Sequence, residues 1–401
     1  MTGLREMFED LAVSPPPPSQ VTGEEMYAAG RRRRKRRTRI VRAVAALAVT
    51  AVAAATASVV TMVSPPPEPA SSGDPLPAGN INWIGAADSR HLYAAVQACP
   101  DQSCVKTLVQ LYASDNGGQG WTPRGDAMVL VDAVVAGPST LVATVAGKST
   151  PSVSTNGGHT WTSAQRRSQA AAVPPGGTLF CWASTDAELC SPYVVDPAAG
   201  WFAPLARPPA LRPGAQWMRA GDRLWGAGAD LNGISAVAVS TDAGHTWSTR
   251  TLQCPRAICY GATVATTADG NTAYAVVTSP NARFVYRGGV TGAWTLTGIE
   301  KITAHEAALG GDRSFVTADG THVVYGTKPV GDLDGRTFSA NSGTDTPYQP
   351  VVMDGLPALV RAIGRAPDGW FFTSTYGPER AVYGSTDGRH WSVIASTLTK
   401  E

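Results

Sequence analysis

The sequence predicts an all-β fold, a seven-bladed β-propeller, preceded by a single transmembrane helix. Three observations support this prediction: a composition rich in turn residues, a motif that recurs about every 45 residues, and one long apolar run near the N-terminus. The 401 residues include 42 Gly and 30 Pro, and only 16% are charged. Such a mixture favours many short strands joined by tight turns over long helices.

An N-terminal anchor is predicted by a basic cluster that is followed by an apolar run. Residues 31–37 are all Arg or Lys, and the stretch from Ala43 to Val63 carries no charge. A helix of that length crosses a hydrocarbon core of about 30 Å, and basic clusters stay on the cytoplasmic side. The predicted segments are a cytoplasmic tail over 1–38, a transmembrane helix over 39–63, a proline-rich linker over 64–79 and an extracellular propeller over 80–401.

Two alternatives at the N-terminus stay open. Ala55-Thr56-Ala57 resembles the cleavage site of a signal peptide, but the long segment before the apolar run favours an uncleaved, single-pass anchor in the cell membrane. In the tail, Leu4, Met7, Phe8 and Leu11 share one helical face. This spacing is typical of a solvated tail or of a helix that docks on a cytoplasmic partner. The leader resembles those of actinobacterial membrane proteins.

A repeated turn motif divides the rest of the chain. Three segments share the pattern Ser-x-Asp/Asn-x-Gly-x-x-Trp, and a fourth is one residue shorter. Asp or Asn can accept hydrogen bonds from backbone N–H groups in such a turn, Gly supplies a positive φ, and Trp buries a large apolar face. The motif residues are Ser114, Asn116, Gly118 and Trp121; Ser154, Asn156, Gly158 and Trp161; Ser240, Asp242, Gly244 and Trp247; and Ser385, Asp387 and Trp391.

Three weaker copies fill the gaps between the clear motifs. Asp196 with Trp201 keeps the spacing from acid to Trp, Trp294 keeps the shape without the acid, and Phe338 follows a Gly and a Thr. The seven aromatic residues are separated by 40, 40, 46, 47, 44 and 53 residues. Each unit is therefore predicted to be a four-stranded blade, in which the aromatic residue begins the outermost strand.

These motifs resemble the Asp-box, or BNR, repeats of sialidase-like β-propellers over about 320 residues. The resemblance implies that the boxes lie on the rim, away from any active site, so their acids are predicted to be structural. A sialidase needs three arginines, a Tyr–Glu pair and an Asp. Residues 80–85, at the start of the first blade, lack the arginine motif of that family. Xyloglucanase-type enzymes use two propellers, and only one fits here.

The six cysteines fall in three close pairs after the apolar run, where an oxidising compartment favours local disulfides. Their spacings do not suit a metal site, and no metal or cofactor is predicted. His159, His245 and His390 occupy equivalent positions of three boxes, so they are expected to be exposed turn residues in separate blades. The predicted disulfide pairs are Cys99 with Cys104, Cys181 with Cys190, and Cys254 with Cys259.

Four polar residues near predicted first strands are the loose candidates for a site on the propeller axis. They are Asp132, Arg219 and the pair Asp354 and Arg361. Each is more simply explained as a solvated strand end or a channel residue. No catalytic residue is therefore predicted.

The functional prediction is a membrane-anchored, non-catalytic binding or scaffold module for a protein or a glycan. The alternatives are a diverged sialidase-like glycoside hydrolase and a transmembrane sensor with a cytoplasmic docking helix. Nucleic-acid binding is not expected, because the basic character belongs to the leader. Residues 1–63 carry ten Lys or Arg against five Asp or Glu, whereas the rest of the chain carries 23 against 26.

Overall fold

The chain divides into two units, Met1–Pro66 and Pro67–Glu401, and the part that the structure describes lies in the second unit. The tail, the predicted transmembrane helix and three cysteines (Cys99, Cys104 and Cys190) lie outside the described residues. Among the described residues, no helix is long and apolar enough to cross a membrane. The computed structural model describes residues 74–97, 109–182, 191–212, 214–256, 258–302, 313–330, 333–341, 347–375 and 380–397.

Seven four-stranded sheets follow one another along the described chain, which confirms the seven-bladed propeller. Blades 1 to 3 contain β1 (Asn80–Ala86), β2 (Leu92–Gln97), β3 (Val109–Ser114) and β4 (Thr122–Met128); β5 (Leu130–Gly137), β6 (Thr140–Val145), β7 (Ser152–Ser154) and β8 (Thr162–Ser163); and β9 (Gln165–Arg166), β10 (Thr178–Trp182), β11 (Ser191–Asp196) and β12 (Trp201–Pro204). Blades 4 and 5 contain β13 (Gln216–Ala220), β14 (Arg223–Ala229), β15 (Ser235–Ser240) and β16 (Ser248–Thr251); and β17 (Ala262–Thr266), β18 (Thr272–Ser279), β19 (Ala282–Gly289) and β20 (Thr295–Lys301). Blades 6 and 7 contain β21 (Arg313–Val316), β22 (His322–Val330), β23 (Leu333–Asn341) and β24 (Gln349–Val351); and β25 (Gly364–Arg365), β26 (Phe371–Ser374), β27 (Ala381–Ser385) and β28 (Ser392–Ser396).

The middle strands of each blade form the core because both of their faces meet a neighbouring blade. Every residue of β15 is buried, and the second strand of blade 4 places the fully buried Trp225 beside it. Strands buried on both faces have near-continuous apolar and small residues rather than strict alternation. Trp225 packs with Val264 and Phe284 of blade 5, so the apolar side chains hold adjacent blades together.

Side-chain packing also closes the ring between blades 7 and 1. Leu76, Trp121, Trp370, Phe372 and Val382 belong to one buried cluster that draws on both blades. A hydrogen bond also crosses the seam, from the Ser89 N–H to the Asp368 carboxylate at 3.0 Å. The backbone N–H of Trp121 donates to the Asp74 carbonyl oxygen at 2.9 Å, which holds the segment before β1 against blade 1. No described strand is shared across this seam, so its cohesion comes from the apolar cluster.

Blade 3 departs from the predicted order of strands. Its sheet runs β10-β11-β12-β9, and β9 pairs parallel with β12. Trp201 therefore begins the third strand from the channel and not the outermost one. The predicted first strand is absent because its place falls on Pro174 and Pro175, which cannot donate hydrogen bonds to a ladder. The next strand, β10, lines the channel in its place.

Blade 6 also differs from the prediction, because Phe338 lies inside β23 instead of before the outermost strand. It pairs with Tyr325 on one side and Val351 on the other. The hairpin of β22 and β23 extends to the pair Val330 and Leu333, so the Gly and Thr before Phe338 belong to the ladder. Trp294, by contrast, directly precedes the outermost strand of blade 5 as predicted.

One predicted disulfide lies within the described residues and is confirmed. Cys254 and Cys259 are joined with a Cα–Cα distance of 6.2 Å. They close a short loop in the connection between blades 4 and 5. The other two predicted pairs have side chains outside the described part of the chain.

Replacing Leu76 by Ala tests the closure between blades 7 and 1. Leu76 is fully buried in the closing cluster, so we expect the free energy of unfolding to fall by about 2–5 kcal/mol. Urea denaturation followed by Trp fluorescence measures the loss. The control is Leu296→Ala, at a residue that is 41% exposed. An equal effect of the two substitutions would show that residue 76 takes no part in closure.

Candidate functional site

The box turns of blades 1, 2, 4 and 7 share one hydrogen-bond pattern. The serine hydroxyl donates to Oδ1 of the Asn or Asp two positions later, at 2.7–3.0 Å. The same hydroxyl accepts the N–H of the following box glycine at 2.7–2.8 Å. Those glycines, Gly118, Gly158, Gly244 and Gly388, have φ between 80° and 94°, a conformation that side chains disfavour.

The box tryptophans of blades 1 and 7 each donate a hydrogen bond to their own turn. The indole N–H of Trp121 donates to the Gly118 carbonyl oxygen at 3.0 Å, and that of Trp391 to Gly388 at 3.2 Å. Both rings are buried, while Trp161 and Trp247 are half-buried. In these two blades the serine, the amide or acid, and the tryptophan of the box are therefore all hydrogen-bonded within the turn, which suits a structural role.

The box acid of blade 4 is held as a carboxylate. Its pKa falls to about 2 because the Thr246 hydroxyl and N–H and the Ser240 hydroxyl donate to it. The Thr246 hydroxyl lies 2.6 Å from one oxygen of Asp242, and the Thr246 N–H lies 2.9 Å from the other. An ionised, hydrogen-bonded acid of this kind is a poor proton donor at neutral pH.

The three box histidines lie in turns of different blades and are exposed. The ring of His390 lies 2.6 Å from the Asp387 carboxylate, which raises the pKa of that imidazole. His159 contacts the guanidinium of Arg124. Within the described residues, no group of three His, Cys, Asp or Glu side chains is placed to hold a metal ion.

A central channel of about 560 Å³ runs between the innermost strands of all seven blades. Most of its wall is apolar or small, and Trp83 and Trp217 are its largest aromatic residues. The Trp83 indole donates to the Ala133 carbonyl oxygen at 3.1 Å, which fixes that ring against blade 2. Arg219 and Arg365 are the charged residues among the described side chains of the wall, which include no carboxylate.

The two arginines have hydrogen-bond donors to spare. Arg219 donates from Nη1 to the Gly177 carbonyl oxygen at 3.1 Å. Arg365, from blade 7, reaches the Thr266 carbonyl oxygen of blade 5 at 3.4 Å, and its guanidinium lies 5.1 Å from the centre of the Phe371 ring. Burial lowers the pKa of Arg365, and the charge of Asp269 opposes that effect. A guanidinium offers five N–H donors, so both can bind an additional acceptor.

Both arginines lie toward the same end of the channel. Each is near the last residue of its innermost strand, β13 or β25. In an antiparallel four-stranded sheet, the turn after the first strand and the turn after the third lie at one end. The arginines are therefore at the end that carries the box turns, which we call the box end, and the other is the opposite end.

The other axial candidates do not join this pair. Asp132 lies near the start of β5, at the opposite end, and its side chain reaches solvent. Partial loss of hydration among the surrounding protein atoms raises the pKa of Asp132, and the charge of Arg313 opposes that effect. Asp354 exchanges backbone hydrogen bonds with the box turn of blade 7, through Arg389 and Trp391. The Arg361 N–H donates to Ser374. None of these residues contributes a side chain to the channel wall.

Sequence reasoning singled out Arg219 and missed Arg365. A signal was present, because both precede the turn after an innermost strand: Arg219 lies two residues before Gly221, and Arg365 three before Asp368. Aligning the blades on these turns places both arginines on the channel wall. The short strand β25, of two residues, hid that alignment.

No protein-family model matches the chain, and no curated protein matches it. Among solved structures, an ancestral GH74 enzyme superposes with a TM-score of 0.48 and 15% identity, over 82% of this chain and 48% of that one. The chain thus spans about half the length of that enzyme. YCF48 bound to a D1 peptide superposes with a TM-score of 0.31 and 12% identity, over 79% and 82% of the two chains. Similarities of this size carry no argument about function.

Replacing Asp242 by Asn tests the charge of the box acid. Its pKa is depressed in the folded chain, so its stabilising effect is present above its usual value of 3.8 and is lost as pH falls toward about 2. Asn116 and Asn156 make equivalent hydrogen bonds without titrating. We therefore expect the variant to match the parent near pH 4 or above, within a small offset, and to lose less stability at pH 2.

Urea denaturation at a series of pH values measures this difference. The control is Asp242→Ala, which removes the hydrogen bonds and is expected to destabilise the protein at neutral pH. If Asp242→Asn and the parent lost the same free energy of unfolding as the pH is lowered, the depressed pKa of Asp242 would make no contribution to stability, contrary to the expectation.

Proposed function

We propose that the propeller is a non-catalytic binding module that receives an anionic group of a protein or glycan ligand at the box end of its channel. One observation carries the proposal: two arginines with spare donors line a largely apolar wall whose described side chains include no carboxylate. Largely apolar cavities with a few polar groups are typical of ligand sites.

The same wall disfavours the hydrolase alternative. Most glycosidases place two carboxylates on either side of the bond that breaks, one of them as a proton donor. The acids nearest to such a role by sequence, Asp132 and Asp354, lie outside the channel wall. Glycoside hydrolysis therefore has less support than binding.

The chemistry of arginine defines the ligand class. Its planar guanidinium matches the two oxygens of a carboxylate or sulfate and stays charged at all physiological pH values. Partial burial strengthens such contacts, because fewer water molecules compete with the ligand. The apolar remainder of the wall, including Trp83 and Trp217, would contact the uncharged part of the ligand.

The proposed location is outside the cell, on a single-pass anchor in the cell membrane. The basic cluster and the apolar run of the leader support it, as does the disulfide between Cys254 and Cys259, since such bonds persist in oxidising compartments. A sensor role for the cytoplasmic tail rests on residues outside the described part of the chain.

Replacing Arg365 by Gln tests the proposal. We expect the full-length chain to bind acidic oligosaccharides on a glycan array in preference to neutral ones, and the variant to bind them about tenfold more weakly, since one charge-assisted hydrogen bond contributes about 1.5–3 kcal/mol. The matched control is Arg250→Gln, at an exposed arginine of the outer strand β16.

Two results would contradict this function. One is equal binding of acidic and neutral glycans by the parent and by Arg365→Gln. The other is turnover of a fluorogenic glycoside that Asp132→Ala abolishes, which would favour the hydrolase.

A further inference from the structure

Two loops emerge side by side at the opposite end of blades 4 and 5. The first is the turn between β14 and β15, residues 230–234, and the second is the described part of the connection between β16 and β17, residues 252–256 and 258–261. The Leu252 N–H donates to the Ser235 carbonyl oxygen at 2.7 Å, and Gly261 lies against the backbone of Gly228. The bases of the two loops are thus in contact, so their tips form one surface.

Large apolar side chains on this surface are exposed to solvent. Leu231 is 66% exposed and Ile234 46%, on the first loop. On the second, Ile258 is 58% exposed and Tyr260 63%. Single exposed apolar residues are ordinary, but a cluster of them marks an interaction surface. We call these four residues the loop patch.

The backbone under the loop patch is ordered by contacts within each loop. The buried Asp230 carboxylate accepts the N–H groups of Asn232 at 2.9 Å and Ile234 at 2.8 Å. The disulfide closes the second loop, and the Tyr260 N–H donates to Thr278 at 2.9 Å. A backbone that is already held in place loses little additional conformational entropy on binding, which favours a specific partner.

The charge around the loop patch is positive. Arg212 donates to the Leu231 carbonyl oxygen at 2.9 Å and is exposed, and Arg256 is exposed within the disulfide loop. The one acid of the two loops, Asp230, is already occupied by backbone N–H groups. A second copy that presents the same surface would face arginine with arginine, so the complementary partner carries carboxylates.

We propose that the loop patch docks an acidic polypeptide segment that inserts an aromatic or aliphatic side chain between the two loops. Tyr and Arg are the residue types that contribute most to protein interfaces, and both are present here. The surface lies at the end of the propeller away from Arg219 and Arg365. Docking there does not depend on the proposed channel ligand.

Panning the immobilised full-length chain with a random peptide library on phage tests the proposal. We expect selected peptides to combine Asp or Glu with aromatic or aliphatic residues. Tyr260→Ser and the double variant Arg212→Gln/Arg256→Gln should each weaken the best peptide at least tenfold. Replacing the carboxylates of that peptide by amides should weaken binding to the parent and add little to the loss in the arginine variant.

The controls separate this surface from others. Val393→Ser changes a residue that is 56% exposed on the outer strand of blade 7, and Arg365→Gln changes the channel; both should bind the peptide like the parent. Melting temperatures establish that the variants are folded. Three results would overturn the proposal: selected peptides without acids, Tyr260-dependent binding to phosphatidylglycerol vesicles, or Tyr260-dependent self-association in sedimentation.

Discussion

The structure depends on the burial of middle strands between neighbouring blades. A strand such as β15 has no solvent-facing side, so its residues must be apolar or small on both faces. Each blade is stable only while it has a blade on either side, and this condition is satisfied for all seven only when the ring is closed. The buried cluster around Leu76 and Trp370 is therefore as necessary as any single blade.

The same constraint assigns different roles to the two edges of a blade. The outermost strands are largely exposed, and the box turns before four of them form hydrogen bonds within the turn. The innermost strands meet around the axis, where seven blades leave a channel that side chains do not fill. Arg219 and Arg365 lie on the wall of that channel, each held by a backbone carbonyl oxygen and each with further N–H donors. The proposed binding sites thus lie at the channel and at the loops, whereas the residues of the box turns at the rim stabilise the fold.

The sequence predicted the number of blades and four of the box turns because these follow local rules. Ser, Asp or Asn and Gly at fixed spacing specify a turn whose hydrogen bonds are formed within a few residues. It failed at Trp201, where pairing with Gln165 adds a strand outside it, and at Phe338, which lies inside the long hairpin of β22 and β23. A spacing of aromatic residues does not state which segments pair, so it cannot by itself distinguish a third strand from a fourth.

The candidate site was harder to predict for the same reason. The wall of the channel gathers residues from the innermost strands of seven blades, and no spacing in the sequence marks them as neighbours. Arg365 reaches the Thr266 carbonyl oxygen, 99 residues earlier in the chain. Only the closed ring brings such positions together.

The missing first strand of blade 3 has a consequence for the symmetry of the molecule. In the other six blades the innermost strand ends at the box end, whereas β10 begins there, with Gly177 just before it. The rotational pseudo-symmetry of the propeller is broken at one wall, and that wall holds Arg219 through the Gly177 carbonyl oxygen. One blade of the seven therefore presents a different wall to a ligand on the axis. A ligand that contacts this wall would bind in a single orientation about the axis.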